Sequence, residues 1–254
     1  MKIFNSVKEW KKELSQLKSE GLSLGFVPTM GALHEGHASL FKESLKDNDR
    51  TLVSIFLNPT QFDNREDLNN YPSSYEEDIK ILEDLKVDYL FSPAYEELYR
   101  DNYRYSCREN KLSQILCGAA RPGHFDGVLT VVMKLLNIGG AQKAYFGEKD
   151  YQQYLLIKEM AQTFFLETEI VPCPLIREKD GLALSSRNRR LSSEARQLAP
   201  TFYGLLNSGS SREKIKKDLS KAGFKVDYIE DYHMRRFGAV YLEEVRLIDN
   251  VPLR

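Results

Sequence analysis

The sequence predicts an α/β fold, with a parallel sheet flanked by helices followed by a smaller, mixed α+β segment. Three observations carry this. A strand, a Gly-containing polar turn and a helix occur in that order twice, at residues 22–45 and again at 143–160. Between them, residues 51–57 are almost wholly apolar and rich in β-formers, as a strand buried on both faces must be. Past residue 171, Pro172 and Pro174 break the pattern and Lys179-Asp180-Gly181 gives a hairpin signal, so a boundary is expected near 175/176. A chain of 254 residues is near the size at which one core divides in two.

Composition narrows the class. Hydrophobic residues at 42% and charged residues at 29% describe an ordinary globular protein. The net charge of -1, from 36 basic and 37 acidic residues, argues against bulk nucleic-acid binding. Cys107, Cys117 and Cys173 are too few and too scattered for a disulfide framework or a CxxC zinc site, which points to a reducing, cytoplasmic setting. No apolar run of about 18 residues occurs, so no membrane span is expected. The first dozen residues are charged and lack the apolar centre of a signal peptide.

The elements follow in order. Ser6 and Glu9 form a capping box for a helix that ends at Gly21, with Val7, Trp10, Leu14 and Leu17 toward the core. The strand at 22–27 stops at Pro28, and the helix after the turn carries Leu40, Phe41 and Leu45 on one side. The strand at 51–57 ends in Asn58-Pro59-Thr60-Gln61-Phe62, which places Asn58 and Gln61 at the same sheet edge as the first turn. Residues 63–72 read as a polar loop beside that edge. Ser74 and Glu77 suggest another capped helix, with Glu77 and Asp78 as dipole-favoured acids. A short strand is expected at 88–92, and residues 95–110 resist assignment. Residues 117–128 form a Gly- and Pro-rich loop whose Arg121 and His124 either meet a ligand or satisfy backbone carbonyls. An apolar helix at 127–138 and strands at 143–146 and 167–171 complete the sheet. The tail reads as two helices, the second capped by Ser210 and Glu213, then strands at 225–230 and 239–248.

The chemistry gathers at three strings. In Val27-Pro28-Thr29-Met30-Gly31-Ala32-Leu33-His34-Glu35-Gly36-His37, a helix start offers N–H groups to an anion. His34 and His37 add donors that can carry charge near neutral pH, and Gly36 permits close approach. Lys149, in Gly147-Glu148-Lys149-Asp150-Tyr151-Gln152-Gln153, stands near a helix start, where a cation is disfavoured unless a phosphate is bound. Leu184-Ser185-Ser186-Arg187-Asn188 sets two hydroxyls beside a guanidinium, a good phosphate-binding combination. The spacing of His34 and His37, three residues with a Gly between, departs from the helical zinc pair H-E-x-x-H, whose ligands stand four apart.

Together these strings resemble the HxGH nucleotidyltransferase superfamily and, within it, the pantothenate synthetase family. The likeness rests on PTMGALHEGH, NPTQF, RPGHFDGV, GEKDYQQ and SSRN in matching order, covers nearly all of residues 1–191 and thins beyond. It implies a Rossmann-like parallel sheet domain (1–175) with a smaller C-terminal α+β lid domain (176–254) carrying the SSRN loop. It implies ATP, (R)-pantoate and β-alanine as substrates, Mg2+ accompanying ATP without a dedicated protein metal site, and a homodimer. ATP would be met by Met30, Gly31, Ala32, Leu33, His34, Glu35, Gly36 and His37, by Gly147, Glu148, Lys149 and Asp150, and by Ile176, Leu184, Ser185, Ser186 and Arg187. His37, His34 and Lys149 would be catalytic. Gln61, Gln153 and Asn58 would hold pantoate, and Gln61 would also touch β-alanine. Two positions depart from the usual pattern, since many relatives have Met at Thr60 and at Leu184. Another acid-activating member of the superfamily is disfavoured by NPTQF and GEKDYQQ. A non-enzymatic nucleotide-binding module is disfavoured by Lys149 and the paired histidines.

Overall fold

The computed structural model describes residues 1–72 and 74–253. Strands β1 (Lys2–Phe4), β2 (Leu24–Thr29), β3 (Arg50–Ile55), β4 (Tyr89–Phe91), β5 (Lys143–Gly147) and β6 (Glu169–Cys173) form one sheet in the order β1-β4-β3-β2-β5-β6. Every pairing in it is parallel. From β2 the chain steps to β3 and β4 on one side, then crosses to β5 and β6 on the other. The carboxyl ends of β2 and β5 therefore flank the point where strand order reverses, the place where such sheets bind ligands.

Helices α1 (Val7–Ser19), α2 (Glu35–Asp47), α3 (Arg65–Asn69), α4 (Tyr75–Asp84), α5 (Tyr95–Leu98), α6 (Cys117–Ala120), α7 (His124–Gly139) and α8 (Tyr151–Thr163) accompany this sheet. Trp10, Leu14 and Leu17 of α1 join the cluster containing Phe26, Leu135 and Leu136, while Leu40 and Phe41 of α2 pack with Val27, Val53 and Leu90. Such double coverage explains why the central strands are apolar throughout.

A second unit follows. Helices α9 (Ser193–Leu198), α10 (Pro200–Leu206) and α11 (Arg212–Lys221) pack on an antiparallel sheet of β7 (Lys225–Tyr232), β8 (Arg235–Leu242) and β9 (Val245–Pro252). Its cluster runs from Leu182 to Val251. The hairpin around Gly181 is closed by Gly181 N–H donating to the Glu178 carbonyl at 2.9 Å, and it brings Ile176 beside Leu184 at 3.1 Å.

Several boundaries differ from expectation for identifiable reasons. Strand β2 continues through Pro28. The Leu24 carbonyl faces Gln142 and the Thr29 carbonyl faces Phe56, so the donor that Pro28 lacks would point to the β5 side, beyond the last β2–β5 pair at Phe26. Pro172 lies inside β6, but β6 is an edge strand. Gly127 falls within α7 because a Cβ there would sit 2.3 Å from the Thr60 carbonyl oxygen; it marks a close approach and not a helix start. Residues 65–69 are helical where a loop was expected. Ser74 caps nothing, since its hydroxyl is turned to Asp78 Oδ1 at 3.1 Å. The cap of α11 is Ser211, not Ser210. Pro200 divides the expected first tail helix into α9 and α10. The expected strand at 239–248 is two strands turning at Glu243, whose φ is +53, without the Gly or Asn that normally announces a tight hairpin.

Candidate active site

A cavity of about 420 Å³ opens at the crevice between β2 and β5. It is lined by Met30, His34, Gly36 and His37 from the first string and by Gly147, Lys149, Asp150 and Gln153 from the second. Ile176, Leu184, Ser185, Ser186 and Arg187 close it from the hairpin side, and Asn58 and Gln61 from β3. Gly31, Ala32, Leu33, Glu35 and Glu148 stand behind this wall and do not line it.

The turn after β2 is internally wired. Gly31 and Ala32 have φ of +81 and +52, which aims successive N–H groups into one concavity. That concavity already holds an anion. Asp78 of α4, 1% exposed, accepts from Ala32 N–H at 2.8 Å and Leu33 N–H at 2.7 Å. Asp78 is thus the anchor of the turn, where its sequence suggested only a helix-start acid. His34 caps α2, its Nδ1 accepting from Gly36 N–H at 3.1 Å. A Cβ on Gly36 would lie 2.9 Å from the His34 ring, so the close approach that Gly36 permits is that of a neighbouring imidazole. The helix-start amides expected to face an anion are therefore largely engaged by protein groups.

The His34 and His37 rings lie against each other with centroids 4.1 Å apart and planes tilted by 42°. Burial, then the charges of Lys149 and Arg189, push the His34 pKa down to about 4. Burial, then His34 and Lys149, push His37 down to about 3. Both imidazoles therefore lose at pH 7 the minor share of charge that their ordinary value of 6.5 would leave them. Because His34 Nδ1 accepts, its proton lies on Nε2. His37 Nδ1 is buried with no partner among the described residues. Lys149 Nζ lies 3.6 Å from Asp150 Oδ2 in a short turn, Glu148–Asp150, that leads from β5 into α8.

The corner after β3 is a closed network. Asn58, 1% exposed, donates through Nδ2 to Gln61 Oε1 at 3.0 Å and to the Gly127 carbonyl at 3.2 Å. Its Oδ1 accepts from Tyr99 Oη at 2.8 Å and Thr60 Oγ1 at 3.0 Å. These four bonds use both amide hydrogens and both oxygen lone pairs of Asn58. Its effect is to fix the Gln61 amide with Nε2 turned toward Met30 Sδ, 3.1 Å away. His124 Nδ1 lies 2.7 Å from the Gln61 carbonyl oxygen, whereas Arg121 pairs with Asp63 Oδ1 at 2.8 Å and lies 3.4 Å from the same carbonyl. Of the glutamines on α8, Gln152 is engaged with Cys117, Leu112 and Ile115, whereas Gln153 faces the cavity.

The SSRN segment is a capped turn over Ser186–Arg190. The Ser185 hydroxyl accepts from Arg187 N–H at 3.3 Å and keeps its own hydrogen free to donate. Arg187 and Arg190 both reach Asp67 on α3, at 2.8 and 2.9 Å. Burial opposes the charge on Arg187, but the pairing with Asp67 raises its pKa overall. Asp67, Arg190 and Asp78 were not recognised from the sequence as site residues. Each acts through a partner far along the chain, and no local pattern announces them.

A sequence profile described as pantoate-beta-alanine ligase matches residues 2–252. The chain is 52% identical over 231 residues to the pantothenate synthetase of Bdellovibrio bacteriovorus, covering 91% of this chain and 92% of that one. It is 48% identical over 253 residues to the pantothenate synthetase of Legionella pneumophila strain Corby, covering 100% of both. Its structure resembles that of the Francisella tularensis pantoate-beta-alanine ligase complexed with beta-gamma ATP and beta-alanine, with TM-score 0.95, 43% identity and coverage of 99% and 97%. The Thermus thermophilus pantothenate synthetase gives TM-score 0.89 at 37% identity, covering 99% of each chain. With the profile, the relatives and the fold agreeing over essentially its full length, the chain belongs to the pantoate–β-alanine ligase family.

Proposed function

We propose that this chain condenses (R)-pantoate with β-alanine at the expense of ATP, through a pantoyl adenylate, releasing AMP and pyrophosphate. The supporting observation is the convergence of Lys149, the His34–His37 pair and Ser185–Arg187 on the cavity that Gln61 and Gln153 also face. A carboxylate does not acylate an amine directly, because oxide would have to leave. Attack of the pantoate carboxylate on the α-phosphate expels pyrophosphate and makes the carbonyl reactive. The β-alanine amine then displaces AMP. Negative charge grows on the phosphates in the first step, so donors fixed toward them supply the rate enhancement. Lys149 and Arg187 provide cations; His34, His37, Ser185 and Ser186 provide shorter-range donors. Gln61, oriented by Asn58, and Gln153 hold pantoate, and Gln61 also meets β-alanine.

The neutral state of the histidines adds a testable element. A triphosphate beside them favours their protonated forms, so ATP binding takes up protons below neutral pH. His37 then becomes the acid that assists pyrophosphate departure. Among the described residues no group of three or more His, Cys, Asp or Glu gathers as a metal cage. Magnesium would accompany ATP, held by its phosphate oxygens, and would supply neutralisation of phosphate charge. The reading includes a homodimer and a cytoplasmic setting; light scattering tests the first. None of the described helices is long and apolar enough to cross a membrane.

The deciding experiment is pyrophosphate–ATP isotope exchange with magnesium, with and without pantoate and with no β-alanine. Exchange that requires pantoate is the expected result. Absence of exchange, together with no pantothenate when all three substrates are supplied, refutes the assignment.

A further inference from the structure

The last strand of the chain reaches across to the phosphate loop. Asn250 of β9, 4% exposed, donates through Nδ2 to the carbonyl oxygens of Glu148 at 2.9 Å and Lys149 at 3.1 Å. Its Oδ1 accepts from Arg235 Nη1 at 2.7 Å, which fixes the sense of the amide, since a flip would turn NH2 toward a guanidinium. Arg235 is itself held, lying 4.0 Å over the Tyr151 ring with Nη2 3.6 Å from Glu148 Oε2. One residue earlier, buried Asp249 receives both arms of Arg177 at 2.6 and 2.9 Å and the Asn250 N–H at 2.7 Å. Asn250 is thus pinned from both sides before it touches residues 148 and 149.

What it touches needs holding. Glu148–Asp150 is a 3-10 turn of three residues between β5 and α8, with poorer hydrogen-bond geometry than the helix it leads into. The Lys149 side chain has a competing partner in Asp150, 3.6 Å away. A small rotation of this turn redirects the ammonium along its whole reach. Displacements of about 1 Å at such groups change rates about 100-fold.

We infer that Asn250 is a positioning residue for Lys149: it bonds the backbone carbonyls from which the ammonium extends and sets its aim into the cavity. The inference rests on the reading of Lys149 as a phosphate ligand. It gives the C-terminal sheet a part in the reaction, as a strut against the phosphate loop.

The test is a double-mutant cycle of Asn250→Ala with Lys149→Ala. MgATP affinity is read by calorimetry, pantoate-dependent exchange by isotope, and folding by thermal unfolding. Asn250→Ala is expected to lower kcat/KM for ATP about 10-fold with KM for β-alanine within about twofold. Asn250→Asp, which opposes two carbonyls with a carboxylate, should lower it further. In the Lys149→Ala background the change in ATP affinity should shrink below about twofold, as expected of groups that act as a unit. Equal factors in both backgrounds overturn the inference, as does a lowered melting temperature with ATP affinity and rate unchanged. Should Asn250→Ala not fold, Arg235→Met leaves Asn250 in place and frees its oxygen, and the same cycle is run with it. The calorimetric arm needs no acid substrate, so failure of the pantoate assignment, seen as no exchange by the unaltered chain, is distinguishable from failure of the strut.

Discussion

The corner after β3 and the SSRN turn face the same cavity but are built on opposite plans. At the corner every polar atom of Asn58 has a partner, and those partners come from its own turn, from α7 and from Tyr99. At the SSRN turn two arginines share one carboxylate, Asp67, carried on the short helix α3. The corner is complete before any substrate arrives. The arginines are complete only because Asp67 stands where their charge would otherwise face the cavity. Neutral, directional contacts suit a small hydroxy acid that must be oriented. Charge in reserve suits a polyanion, whose phosphates can compete for the same guanidinium. The turn around Asp78 belongs with the corner, since its anion is internal and buried.

This contrast can be broken most forcefully at Asp78. Asp78→Asn turns an NH2 toward one of two backbone donors, which should reduce stability by about 2–5 kcal/mol and ligation at least about 100-fold. Urea unfolding and the exchange assay check both, and Asp78→Glu should recover little because the concavity fits a short side chain. On the opposite plan, Arg187→Ala should lower kcat/KM for ATP about 100-fold while stability changes by less than about 1 kcal/mol. A large stability loss there would erase the distinction. Asn58→Ala should reverse that balance, costing about 1–3 kcal/mol by taking away the donor to Gln61 Oε1 and raising KM for pantoate more than KM for ATP.

The pH profile sharpens the contrast from the buried side. His34, His37 and His124 are held near 4, 3 and 4, against an ordinary 6.5. Between about 6.5 and 4 the unfolded chain binds more protons than the folded one, so stability falls as pH falls through that window and is intact above it. Melting temperature measured from pH 7.5 to 4 should decline accordingly, and His37→Asn should make the decline shallower. An unaltered slope in that variant would mean His37 is not buried neutral. The smallest effect is expected at Asp67→Asn, which frees both arginines. ATP should bind a few-fold more tightly at low salt and the gain should fade by about 0.5 M, with stability altered by less than about 1 kcal/mol.

Much of the site was legible because its strings are local. HEGH, GEKDYQQ and SSRN each follow a strand or hairpin whose composition marks it, and each reaches the same cavity. The unread residues share a different property, in that their meaning lies in a partner far along the chain. Asp78 bonds a residue 45 positions away, Asn250 one 102 away and Asp67 one 120 away. An aspartate in a first helical turn reads as a dipole acid until the turn opposite it is known. The same limit hid the bonds of Asn58, whose partners include Tyr99 and Gly127, 41 and 69 positions away. In the fold, the two hairpins of the last sheet were obscured because their turns carry His233-Met234 and Glu243 at positive φ, residues without a turn signature.

The aspartate seated in the Ala32–Leu33 concavity has a consequence for selectivity among anions. An open backbone concavity of this kind would take up small inorganic anions such as orthophosphate and sulfate. Here that seat is filled by the protein itself, so small inorganic anions find no amide cradle at this turn and should be weak inhibitors. Pyrophosphate, on leaving, has no bonds to those amides to break.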